Sequence, residues 1–199
     1  MATVTKSIGT SSRDYSTITL WEADLDDDTP YDAGDDAVGE CYNDSVFDET
    51  VTINGGGTVG LDAISLTVAA GERHDGTAGT GARNIRSSAS SNNFVIDNSN
   101  RTVNISWLEI SNNGTGSISS GQKFGIKAGQ DDQGHISNVI AHGIPGSTHS
   151  TRPGTGIKVH GSRTDFDITN CIVYDCGGEQ GGTGTDIAGG DGIISTNHG

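Results

Sequence analysis

The chain has 199 residues, of which 31 are glycine, and only 31% are hydrophobic. A glycine share about twice the ordinary ~7%, with so little apolar material, argues against one deep globular core. The formal net charge of −15, with 11 Lys+Arg against 26 Asp+Glu, argues against the basic face that nucleic-acid binding by counterion release requires.

The opening MATVTKSIGT carries no apolar stretch resembling a signal peptide or membrane span. Synthesis in a cytoplasm, with no membrane partner, is therefore the expectation. Cys41, Cys171 and Cys176 are an odd number, and in a reducing compartment they are expected as free thiols rather than as a Cys171–Cys176 disulfide.

In chain order, ATVTKSIG places Val4 and Ile8 on one face and Thr3, Thr5 and Ser7 on the other, which predicts a short first strand. RDYSTITLWEADLDDD predicts one helix of about ten residues. Ser16 stands at its N-cap, Tyr15 can staple onto Leu20, and Ile18, Trp21 and Leu25 fall at helical spacing. So short a helix needs a surface, and the open end of a strand array supplies one. The aspartates that follow (Asp26, Asp27, Asp28, Asp32, Asp35 and Asp36) read as a solvated turn, with weakly bound calcium as the alternative and no other cofactor. Residues 1–36 thus form a first strand and capping helix, and 37–199 the body.

The body opens with short apolar runs at Val46, at Val51 to Ile53, at Ile64, Leu66 and Val68, and at Phe94 to Ile96. It then repeats itself. VNISWLEI at 103–110, HISNVIAH at 135–142 and DITNCIVY at 167–174 align Ile105, Ile136 and Ile168, at spacings of 31 and 32 residues. A second column, GIKA, GIKV and GIIS, aligns Ile126, Ile157 and Ile193, at spacings of 31 and 36. Short Val/Ile/Phe runs at this period, separated by Gly/Asn turns, predict an all-β solenoid with three strands per coil. The inward columns are then Ile105, Ile136 and Ile168; Leu108, Val139 and Cys171; and Ile126, Ile157 and Ile193. Asn138 and Asn170 fall one coil apart, where they are expected about 4.8 Å apart as an internal amide ladder that Trp107 interrupts upstream. The last segment, DGIISTNHG, reads as an incomplete coil.

TKSIGTSSRDYSTITLWEADL, GERHDGTAGTGAR and the GIKV and ITNCIVYDC segments resemble the pectate-lyase-like right-handed parallel β-helix proteins, especially those of bacteriophages and environmental bacteria. The resemblance covers essentially the whole chain and implies that fold with an N-terminal capping helix. It implies much less about function, because the fold carries lyases, hydrolases, tailspikes, adhesins and structural virion parts.

Catalytic candidates are few. Asp131, Asp132 and His135 in DDQGH set paired acids beside a histidine, as glycoside hydrolysis would need. They are compressed into one turn, and a polar turn entering the strand at Ile136 is the preferred reading. Arg152 and Pro153 in TRPG stand nearest to a lyase base, but no acidic cluster aligns with them on neighbouring coils. His74 and Asp75 in GERHDG offer an acid/base pair or half a metal site. No further ligand follows at zinc spacing, and a turn held by its own salt bridge and amides is preferred.

The expectation is a non-enzymatic virion protein, a capsid decoration protein or a fibre or spike domain, docking on other virion proteins through the Trp21 helix or the Gly199 end. Homo-oligomerisation, commonly trimeric, is implied by the resemblance alone. A carbohydrate-active tailspike or a glycan-binding adhesin with a cell-surface glycan as partner is the alternative.

Overall fold

The computed structural model describes residues 2–87, 94–98, 102–113, 123–128, 133–146, 154–160, 165–177 and 191–196. Among the described residues the chain is mostly β, with one short α-helix and three parallel sheets. Strand β1 (Thr3–Ile8) and helix α1 (Ile18–Ala23) come first, and five rounds of three strands follow. These are β2 (Asp36–Cys41), β3 (Val46–Phe47) and β4 (Val51–Ile53); β5 (Ala63–Val68), β6 (Arg83–Arg86) and β7 (Phe94–Asn98); β8 (Val103–Ser106), β9 (Glu109–Asn112) and β10 (Phe124–Ala128); β11 (Gln133–Ser137), β12 (Ile140–Pro145) and β13 (Thr155–His160); and β14 (Asp165–Thr169), β15 (Ile172–Gly177) and β16 (Asp191–Thr196).

The first strand of every round joins one sheet, in the order β1-β2-β5-β8-β11-β14. The second strands form another, β3-β6-β9-β12-β15, and the third strands the last, β4-β7-β10-β13-β16. Ile136 is in register with both Ile105 and Ile168, and Ile157 with both Ile126 and Ile193. The columns read from the sequence are thus the pairing register. Strands with alternating burial explain why: a slip of one residue would turn each isoleucine to the opposite face.

A single buried cluster draws on all three sheets and includes Ile105, Leu108, Ile126, Ile136, Val139 and Ile157. Ile168 and Cys171, on the fifth round, are only half-buried against it. Ile193 departs from the expectation of an inward rung: it lies on the edge strand β16 and is 49% exposed.

Ile18, Trp21 and Leu25 are fully buried in the same cluster. The helix is shorter than expected, six residues followed by a 3-10 turn at Asp24–Asp26, and its N-cap is Thr17, whose side chain accepts from the Leu20 N–H at 3.1 Å. Ser16 does not fill that role. The expected staple is also absent, since Leu20 is 51% exposed while Tyr15 packs half-buried against the core cluster. Carboxylates fix the helix instead. Glu49 accepts from the N–H groups of Ile18 and Thr19 at 3.0 and 2.9 Å, and Glu22 accepts from those of Asn54 and Gly55 at 3.0 and 2.9 Å. Trp21 donates from Nε1 to the Tyr31 hydroxyl at 3.0 Å and lies on Gly39, where a Cβ would come within 2.6 Å of the indole.

The aspartate run divides. Asp26, Asp27 and Asp28 are exposed. Asp35, expected in solvent, is buried and accepts from the Ala2 and Asp32 N–H groups at 2.9 and 3.2 Å. Among the described residues no helix is long and apolar enough to cross a membrane.

Candidate functional site

The corner between the first and second sheets is built the same way in three successive rounds. β8, β11 and β14 each end one residue before a left-handed turn residue, namely Trp107 (φ 63°), Asn138 (φ 53°) and Asn170 (φ 53°). An apolar residue then turns inward: Leu108, Val139 or Cys171. The backbone groups of the corner bond from round to round, Trp107 N–H to Ser137 O at 3.2 Å and Asn138 N–H to Thr169 O at 3.0 Å.

This corrects the expected internal ladder. Asn138 is half-buried and Asn170 exposed, and among the described residues no hydrogen bond joins the two amides. Asparagine recurs here because it is the non-glycine residue that most readily takes a left-handed conformation, not because its amide is needed inside. The buried amides are elsewhere. Asn84 accepts from Glu49 N–H at 3.1 Å and donates to Glu49 O at 3.3 Å, and Asn112 donates to Phe124 O at 3.4 Å. Neither stood out in the sequence, since neither repeats from coil to coil.

In the second round the same corner is replaced by the long connection 69–82, which lies over the corners of the later rounds. Arg73 donates to Val68 O at 3.2 Å and sets its guanidinium 4.9 Å from the centre of the Trp107 ring. The buried His74 ring lies 5.6 Å from the same indole. His74 Nε2 is 2.7 Å from Asn138 O, and its Nδ1 accepts from the Gly76 N–H at 3.3 Å. A carbonyl only accepts, so the ring is the tautomer carrying its proton on Nε2. Further along, Gly79 N–H donates to Glu109 Oε2 at 2.5 Å. Glu109 is 3% exposed, and its other oxygen meets His142 Nε2 at 2.9 Å. His142 stacks on Tyr174, with ring centres 5.0 Å apart.

Between this strap and the corners lies an open cleft of about 400 Å³, lined by His74, Asp75, Gly76, Trp107, Asn138, Asn170 and Ile172. Ile172 and Tyr174, two residues apart on β15, are 42% and 40% exposed.

His74 and Asp75 do not form the suggested acid/base pair. Asp75 accepts from the Thr77 N–H at 2.9 Å and the Thr80 hydroxyl at 3.0 Å, and the Thr77 N–H chiefly holds its carboxyl below the usual range. Nor does a salt bridge to Arg73 hold the turn, because Arg73 is turned to Val68 and Trp107. His135 sits apart from this cleft, paired with Asp167 at 3.3 Å across β11 and β14 with both side chains well exposed. Asp131, Asp132, Arg152 and Pro153 lie outside the described residues. Among the described residues no three His, Cys, Asp or Glu side chains gather as metal ligands. All three cysteines are free thiols.

No family model matches the chain, and no curated protein or solved structure matches it.

Proposed function

We propose that the chain is a right-handed parallel β-helix that serves as a structural component of a bacteriophage virion, a capsid decoration protein or a fibre or spike domain, acting by docking and mechanical stabilisation. The strict rotation through three parallel sheets supports the solenoid, and the handedness follows the general preference of parallel crossovers. The virion setting rests on the resemblance of the TKSIGTSSRDYSTITLWEADL and GIKV segments to phage β-helix proteins.

The observation that carries the docking reading is the inequality of the two ends of the rotation. At the first round α1 covers the core, so Trp21 itself is unavailable as a contact. At the fifth round Ile172, Tyr174 and Ile193 are exposed, and Phe166, Ile168 and Val173 are only half-buried. Among the described residues these apolar groups lie on or beside the last strands of the three sheets, a kind of surface suited to association, and this reading seats a neighbouring virion protein there.

Purified virions test this. The chain is expected at a fixed copy number relative to the major capsid protein, and Ile193→Asp is expected to abolish incorporation. A monomer found only off the particle, with wild-type and variant behaving alike, refutes the reading.

A further inference from the structure

Trp107 is the outlier of the corner. The two rounds after it place asparagine at the same left-handed position, and a bulky aromatic there is strained. The inward position of that turn is filled by Leu108, and the indole packs only part-buried against the edge of the core. The indole is instead clamped by Arg73 and His74 at the mouth of the cleft. Below it lie two side-chain amides, Asn138 and Asn170, neither hydrogen-bonded to another described residue. Ile172 adds an exposed apolar side chain to the lining.

We infer that this cleft is a non-catalytic binding site for a neutral saccharide. A pyranose ring has an apolar C–H face, which suits the indole and the isoleucine, and a rim of hydroxyl groups that both donate and accept. A side-chain amide matches adjacent hydroxyls because it too offers a donor and an acceptor, and an aromatic beside a few fixed polar groups is the usual make-up of such a site. The volume suits one or two sugar residues. Asp75 lines the cleft, Asp175 is on the same strand as Ile172 and Tyr174, and the chain carries a net charge of −15. Anionic glycans and phosphates are therefore disfavoured, and a neutral glycan is selected. The strap sets the mouth through the His74–Asn138 and Gly79–Glu109 bonds. The inference does not depend on the virion setting.

The chain has two tryptophans, and Trp21 is fully buried, so a ligand at this cleft changes the emission of Trp107 alone. The intact chain is titrated with gluco-, manno- and galacto-hexasaccharides and, as the anionic arm, hexagalacturonate. At least one neutral probe is expected to shift the emission saturably, and calorimetry is expected to give the same affinity. Trp107→Asn supplies the residue that the corner prefers, so it is expected to fold while weakening binding on the order of tenfold or more. Asn170→Asp, on an exposed side chain, is expected to weaken binding with the Trp107 signal intact, and it carries the test should Trp107→Asn fail to fold. No saturable response to any neutral probe, unchanged affinity in the variants, or a response to hexagalacturonate alone overturns the inference.

Discussion

Removing the indole of Trp21 tests whether α1 closes the core. In Trp21→Ala the emptied volume is fully buried beside Gly39, which has no side chain to fill it. Truncations of this kind cost about 3–5 kcal/mol. The Tyr31 hydroxyl, 1% exposed in its residue, loses its 3.0 Å partner, adding about 1 kcal/mol. The expected loss of about 4–6 kcal/mol corresponds, at a urea slope of about 2 kcal/mol/M, to a midpoint lowered by about 2–3 M. Trp107, on the third round, remains as a local reporter, and far-UV circular dichroism follows the whole chain. Because packing runs mainly between neighbouring rounds, the first rounds are expected to melt before the Trp107 signal changes, so the two probes separate. Tyr31→Phe is expected to lose only about 1 kcal/mol. A Trp21→Ala shift below about 1.5 kcal/mol with coincident probes would refute the assignment of α1 as the cover of the core.

Asp44 gives a pH prediction. Burial raises its pKa, but the N–H groups of Thr10 and Ser11 and the Arg13 guanidinium outweigh that and hold the carboxyl below its usual value. With the folded value below the unfolded one, near 3.9, its stabilisation is complete above about pH 4 and lost as pH falls through the folded value. The melting difference between wild type and Asp44→Asn should therefore be largest near neutrality and shrink in acid; a constant difference contradicts this. Glu109→Ala should release the strap without melting the core, raising hydrogen exchange at Gly79 by about tenfold or more; unchanged protection would mean that the carboxylate does not anchor it. Burial pushes the Cys176 thiol up to about 11. Alkylation there should run about two orders of magnitude slower at pH 8 than for a free thiol and climb toward pH 11; free-thiol rates at pH 8 would contradict the buried setting.

The register was legible because burial acts with period two and the rounds recur. Ile105, Ile136 and Ile168 had to share a column if each faced the core. Side-chain direction at corners was not legible, because a two-residue turn interrupts the alternation and backbone conformation decides instead. Asn138 and Asn170 were aligned correctly and pointed wrongly for that reason. The cleft was hidden for another: His74 meets Asn138 across 64 positions of sequence. The signal in the sequence was the substitution of tryptophan for asparagine in an otherwise regular column, and it reads first as an irregularity of the stack. The cap falls one residue beyond Ser16, on Thr17, which takes the Leu20 N–H, while the Ile18 and Thr19 N–H groups go to the distant Glu49, a partner that local capping rules do not reveal.

The acidity also has a structural reading that composition alone does not convey. Turns rich in Gly, Ser and Thr leave backbone N–H groups without strand partners, and unpaired donors are unfavourable once buried. Asp44 takes those of Thr10 and Ser11, Glu49 those of Ile18 and Thr19, Glu22 those of Asn54 and Gly55, Asp26 that of Thr58, and Glu109 that of Gly79. Their sequence separations run from 30 to 34 residues, close to the repeat of 31 to 36 read from the isoleucine columns. These carboxylates therefore fasten one segment to another about a round away, and a lysine or a hydroxyl could not replace them as charged acceptors. In the aspartate run that suggested calcium, Asp26 and Asp27 already accept from Thr58 and Thr29. A cation there would have to compete with hydrogen bonds that hold the turn in place.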